Sequence, residues 1–130
     1  MEEKDYLKKQ IDQLARALAT LIGKVLGVTI VNEIKKVQVI DDFERLTSLD
    51  LESIINSKED AIIPLLLDKG ISNEAIEKIA IFLYHYANRF DKDAFISINL
   101  RVKEMYEYLK SNQTSISYDL SLLATKLNLS

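Results

Sequence analysis

The sequence predicts an all-α protein: a single-domain helical bundle or array of five to seven helices, spanning residues 1–130, around a central antiparallel helix pair. Three observations carry that prediction. Residues 72–110 hold two apolar stripes at helical spacing, joined at Phe90-Asp91, and seven of the ten aromatic residues lie between Phe82 and Tyr108. Residues 4–26 carry a third stripe. One Pro and three Gly interrupt the chain, and a strand would find no second strong strand signal to pair with.

In chain order, residues 4–26 form the first helix. Leu7, Ile11, Leu14, Leu18, Leu21 and Val25 recur at steps of four and three, which places them on one face. Ala15 and Ile22 widen the seam. Gly27 stands where a left-handed residue would end the helix. Such a seam suits a core helix or a short coiled coil, and barely three heptads without regular flanking charges favour the core. Residues 28–46 read as mainly helical, with Ile30, Ile34, Val37, Ile40, Phe43 and Leu46 inward, although the β-branched Val28, Ile30 and Val31 favour strand.

Ser48 or Asp50 is placed to cap a short helix through Ile55. Ser57-Lys58-Glu59-Asp60 has the form of a capping box opening another. Pro64 removes a backbone donor, so a kink or break is expected near Ile62, and Gly70 ends the segment. The central pair follows. Ser72 or Asn73 caps its first helix, which turns Ile76, Ile79, Ala80, Leu83, Ala87 and Phe90 inward. Asp91 caps the second, with Phe95, Ile98, Val102, Met105 and Leu109 inward. Leu14, Leu18, Leu83, Ile98 and Val102 are expected to be nearly fully buried. Residues 111–115 read as a polar loop, and Ser117 caps a last helix with Leu120, Leu123, Ala124 and Leu127 inward.

The far faces of the pair are also apolar. Ile81 and Phe82 are expected to be covered within the chain. Ile96 and Leu100, bordered by Glu104 and Glu107, have the apolar centre and charged rim of a protein–protein contact, and a homodimer interface is expected there. Tyr84, Tyr86, Tyr106 and Tyr108 flank the two stripes, and a groove lined by them would suit a small ligand or a peptide.

Composition narrows the functions. Lys and Arg number 17 against 20 Asp and Glu, a net charge of −3, so the basic footprint of a nucleic-acid partner is missing. The chain has no Cys, which removes thiolate metal sites and a thiol nucleophile and fits a reducing, cytoplasmic location. The most apolar window, residues 17–31, is short and carries Lys24, so no membrane partner is expected. His85 is the only histidine and has no carboxylate at three or four residues' distance. Asp41-Asp42, Asp91 and Asp93 read as helix-start acids, and Lys35-Lys36 and Arg101 with Lys103 as solvated faces. No glycine-rich phosphate loop or nucleophile elbow is present. Residues 122–130 resemble the first helix of a helix-turn-helix, but no recognition helix follows. The expectation is therefore no enzyme, no metal and no other cofactor.

Lys4-Asp5-Tyr6-Leu7, Ile11-Asp12-Gln13-Leu14, Leu18-Ala19 and Leu21-Ile22-Gly23 resemble the opening of an uncharacterised family of small bacterial all-helical proteins. Leu49-Asp50-Leu51 before short helices is similar too. The resemblance covers the first helix well and the remainder loosely, and the run at 28–31 departs from it. It implies an all-helical fold and a bacterial source, and the family has no assigned activity or catalytic residues to carry over. The expected function is a non-catalytic interaction or scaffold protein that self-associates; the alternative is a ligand- or peptide-binding module.

Overall fold

The computed structural model describes residues 2–112 and 116–128, with side chains from residue 13 on. Seven α-helices follow one another: α1 (Glu2–Gly27), α2 (Glu33–Thr47), α3 (Leu51–Ile55), α4 (Ile62–Asp68), α5 (Asn73–Phe90), α6 (Phe95–Asn112) and α7 (Tyr118–Lys126). A 3-10 turn, Lys92–Ala94, links α5 to α6, and no strand occurs among the described residues. None of these helices is long and apolar enough to cross a membrane.

Helix α5 is the centre. Ile79, Ala80, Ile81, Phe82 and Leu83 are consecutive and all buried. Five successive residues point in every direction around a helix, so α5 is enclosed on all sides. Helices α1 and α6 pack along it, α7 lies against it, and α2 reaches it through Phe43, whose ring stacks on Phe82 at 4.6 Å. Ile81 and Phe82 are thus covered within the chain, as expected. Leu18, Ile98 and Val102 are also fully buried, whereas Leu14 packs against the edge of the core and is only partly covered. Leu7 and Ile11 lie outside the described side chains, and residues 113–115 of the expected polar loop outside the described residues.

The local chemistry explains most boundaries. The Ser72 hydroxyl accepts from the Ala75 N–H and opens α5; the Ser117 hydroxyl accepts from the Leu120 N–H and opens α7. Asp91 accepts from the Ala94 N–H at the 3-10 turn. Gly70 has φ +72, and the bonds from Ile71 N–H to Leu66 C=O and from Gly70 N–H to Leu67 C=O close α4 in a Schellman motif.

Five expectations are corrected. Gly27 is the last residue of α1 and takes no left-handed angle. Helix α2 starts at Glu33, because extended Asn32 caps it through a bond from the Lys35 N–H, and the β-branched run before it stays outside the helix. Ser57 does not open α4: its hydroxyl donates to the Ile54 carbonyl, and α4 begins without a side-chain cap at Ile62. Pro64 then falls in the first turn, where no N–H is needed, so nothing breaks. Finally, α2 buries Val39, Phe43 and Thr47 rather than the stripe from Ile30 through Val37. Ile34 and Val37 sit roughly 180° and 120° around α2 from Phe43. Once Phe43 stacks on Phe82, those two residues must face out.

One polar cluster ties the short helices down. Arg101 on α6 is buried, and its Nη1 donates to the carbonyls of Ser57 and Lys58, both at 2.7 Å. Its Nε lies 3.1 Å from Glu104 Oε2, and Glu104 Oε1 accepts from the Asp60 N–H. Arg101, expected on a solvated face, and Glu104, expected at the rim of the Ile96–Leu100 contact, therefore hold the α3–α4 loop instead.

Candidate functional site

The four tyrosines do not share one groove. Tyr86 is 2 % exposed, with its ring stacked between Phe82 and Phe90 at 5.9 and 6.1 Å. Tyr106 is buried under the Lys110 ammonium, which lies 5.9 Å from its ring centroid. Tyr84 and Tyr108 are partly buried. Tyr84 and Tyr86 open onto different clefts, because two residues along a helix turn the side chain by roughly 200°.

The first cleft lies between α1, α5 and α7. Ile22 and Ile81 form its floor, Leu26 and Leu122 its half-exposed lips. His85 is here, edge-on to Tyr84 at 5.2 Å. Burial lowers the His85 pKa below its ordinary 6.5; the Lys126 ammonium and Arg89 guanidinium lower it further, while Asp119 opposes them. That favours a neutral, packed imidazole. Among the described residues no group of three or more His, Asp or Glu is gathered as a metal site.

A stability effect follows from the direction of that shift. Folding with a depressed histidine pKa disfavours the imidazolium, so the unfolded chain binds the proton more readily. Stability is then full above the unfolded value and falls as pH drops below it. Urea midpoints measured between about pH 5 and 8 are expected to fall toward the acid end. The His85→Gln variant should lose that part of the slope, and an unchanged slope would remove His85 as its source.

The second cleft, about 510 Å³, lies between α2, α3 and the 3-10 turn. Glu44, Asp50, Glu52 and Asp91 line it together with Lys36. Its apolar walls are Ile40, Leu51, Ile55 and Ala94, and Tyr86 lies among them. Several carboxylates are fixed by backbone donors. Glu44 Oε2 accepts from the Leu51 N–H at 2.8 Å, and Asp50 Oδ2 from the Ser53 N–H at 3.1 Å and hydroxyl at 2.6 Å. The Ser53 hydroxyl, then the Ser53 N–H, lower the Asp50 pKa, which keeps that side chain ionised. Glu44 and Asp50 stand on either side of the short α2–α3 connection, Asp91 follows α5, and no spacing along the chain announces the meeting of the first two with the third.

Two apolar faces are open to solvent. Ile96 is 77 % and Leu100 50 % exposed, on the outward side of α6. Of the acids expected to border them, Glu107 is exposed, but Glu104 is turned inward to Arg101 and Asp60. Lys103 takes the rim instead. The other face is at the corner between α1 and α2, where Ile30 and Ile34 are each 70 % exposed beside Val31 and Val37. The corner is anchored from behind by Arg89, whose Nη1 donates to the Val28 carbonyl at 2.6 Å. No family model, curated protein or solved structure matches the chain.

Proposed function

We propose that the protein is a non-catalytic interaction module that self-associates, working in the cytoplasm, and that the outward face of α6 is its contact with a second copy. The observation that carries this reading is the exposure of Ile96 and Leu100, one turn apart on a helix whose other faces are covered. Leaving such side chains in water forgoes roughly 1.5–3 kcal/mol each, which association would recover. Lys103 and Glu107 continue the same line along α6, and a rim of both signs allows the face to meet itself about a two-fold axis. The packed, neutral His85 supports the non-catalytic part of the reading.

Light scattering tests it. The wild type is expected to have a mass above that of one chain at high concentration. The double change Ile96→Lys, Leu100→Lys should give a folded protein of single-chain mass, since both residues are exposed and the core is untouched. Ile34→Lys with Val37→Lys should leave the mass unchanged. If that corner variant dissociates instead, the contact belongs to the α1–α2 corner. A wild type of single-chain mass ends the self-association reading.

A further inference from the structure

We propose that the corner between α1 and α2 docks on an anionic membrane surface, with its apolar tip in the headgroup layer and a lipid phosphate between Lys24 and Lys35. The first observation is the shape of the apolar patch. Ile30 and Ile34 are each 70 % exposed, beside Val31 and Val37, and Leu26 is half-exposed at the end of α1. Side chains so free of neighbours form a projection and not the wall of a groove. A protein partner would need a matching pocket for it, whereas the acyl boundary of a bilayer receives a projecting apolar group of any outline. Arg89 bonds the Val28 carbonyl from behind, so the backbone that presents the tip is tied to α5.

The second observation is charge. Residues 24–40 carry three lysines and one acid, in a chain of net charge −3. An open cleft of about 490 Å³ behind the tip brings Lys24 of α1 to Lys35 of α2, with Thr29 and Gln38 beside them. Asp42 is the one carboxylate on its lining, and the Arg45 guanidinium holds it at 2.9 Å. Neither lysine is ion-paired among the described residues. Glu33, the acid of the corner, sits roughly 160° around α2 from Lys35, on another side of the helix. At physiological salt a charge acts over roughly 8 Å, so this local excess governs the contact and the net charge does not.

The two features fit one partner. Lys24 and Lys35 stand beside Leu26 and Ile34 along the chain, so cations border the apolar tip as headgroups border the acyl layer. Lysines next to an anionic leaflet add attraction to what the buried apolar area supplies. No helix among the described residues is long and apolar enough to cross a bilayer, but docking on one leaflet needs no span. The expectation of no membrane partner is therefore set aside for this corner. The inference does not rest on self-association, because a single chain contains the whole corner.

Vesicle flotation with the full chain tests it. The probes are vesicles of phosphatidylcholine alone and of an equimolar phosphatidylcholine–phosphatidylserine mixture. The chain is expected to bind the mixed vesicles about tenfold better than the neutral ones, and high salt should release it. Lys24→Gln with Lys35→Gln should lower binding about tenfold, and Ile30→Gln with Ile34→Gln by as much or more. All four positions are exposed, so urea midpoints should stay near the wild-type value. Leu67→Gln with Tyr118→Gln, at exposed apolar positions on α4 and α7, should leave binding unchanged. Independently of any variant, a nitroxide on the lipid acyl chain should broaden the amides of Ile30, Val31 and Ile34 most in mixed-lipid bicelles. Equal binding to neutral vesicles, undiminished binding by either corner variant, an equal loss in the α4–α7 control, or broadening centred on α6 would overturn the proposal. So would no binding to either vesicle; a lower light-scattering mass of the isoleucine variant would then give the corner to a second copy of the chain.

Discussion

Replacing Arg101 by Ala is expected to cost about 3–5 kcal/mol of unfolding free energy. The guanidinium is buried, so its loss cannot be made good by water at the same site. The carbonyls of Ser57 and Lys58 lose their donor. Glu104 is left as a largely buried carboxylate whose remaining partner is the Asp60 N–H. Breaking one side of a buried pair is what makes such a loss large; the net value of the pair itself is much smaller. Arg101→Met with Glu104→Gln should therefore cost less than the two single changes added together. Denaturant unfolding measures the loss, and amide exchange should rise in residues 57–61 and α3, which the clasp holds to α6. A loss below about 1 kcal/mol for Arg101→Ala would show that the loop stays in place without it.

The same cluster shows where reading the chain runs out. Arg101 and Glu104 are three apart on a helix, the spacing of an ordinary surface pair, and their partners in the loop lie more than forty residues earlier. No periodicity distinguishes a clasp from a solvated face. The central pair was legible because every level agreed there: a cap at Ser72, a helical period, a short turn at Asp91 and a second helix. Helix α2 was half legible. Its apolar residues form two overlapping stripes that share Ile40 and Phe43, and only the ring of Phe82 decides which is buried. The β-branched run at 28–31 was correctly a warning, though it marks an extended corner before the Asn32 cap and not a strand. Exposure of Ile96 and Leu100 fits the pattern read along α6, whereas the tyrosine groove did not form, since side chains two apart on α5 serve opposite faces. The acidic cleft draws on Glu44, Asp50 and Asp91, of which Asp50 and Asp91 read along the chain as helix caps, and its existence depends on α2 and α3 meeting beside Tyr86 and the 3-10 turn.

That dependence makes Phe82 the second position of large effect. Phe82→Ala is expected to cost about 3–5 kcal/mol. The ring is fully buried, lies nearly parallel to Phe43 at 4.6 Å and 5°, and also stacks on Tyr86 at 5.9 Å. Removing it takes away apolar burial and the aromatic contact together, and opens a cavity at the middle of an enclosed helix, where backbone from four directions limits collapse. Against a total stability of roughly 5–15 kcal/mol, that is a large share. The loss should also be local in its consequences. Helix α2 touches the rest of the core mainly through Val39, Phe43 and Thr47, so its amides should lose exchange protection before those of α6. Phe43→Ala and Phe82→Ala should be less than additive in a double-mutant cycle, because each removes the other's partner. Phe82→Leu, which keeps most of the volume, should lose less than Phe82→Ala. Urea unfolding of the four proteins provides the cycle. Additive losses would mean that the two rings act separately, and α2 would then owe its rotation to something other than Phe43 meeting Phe82.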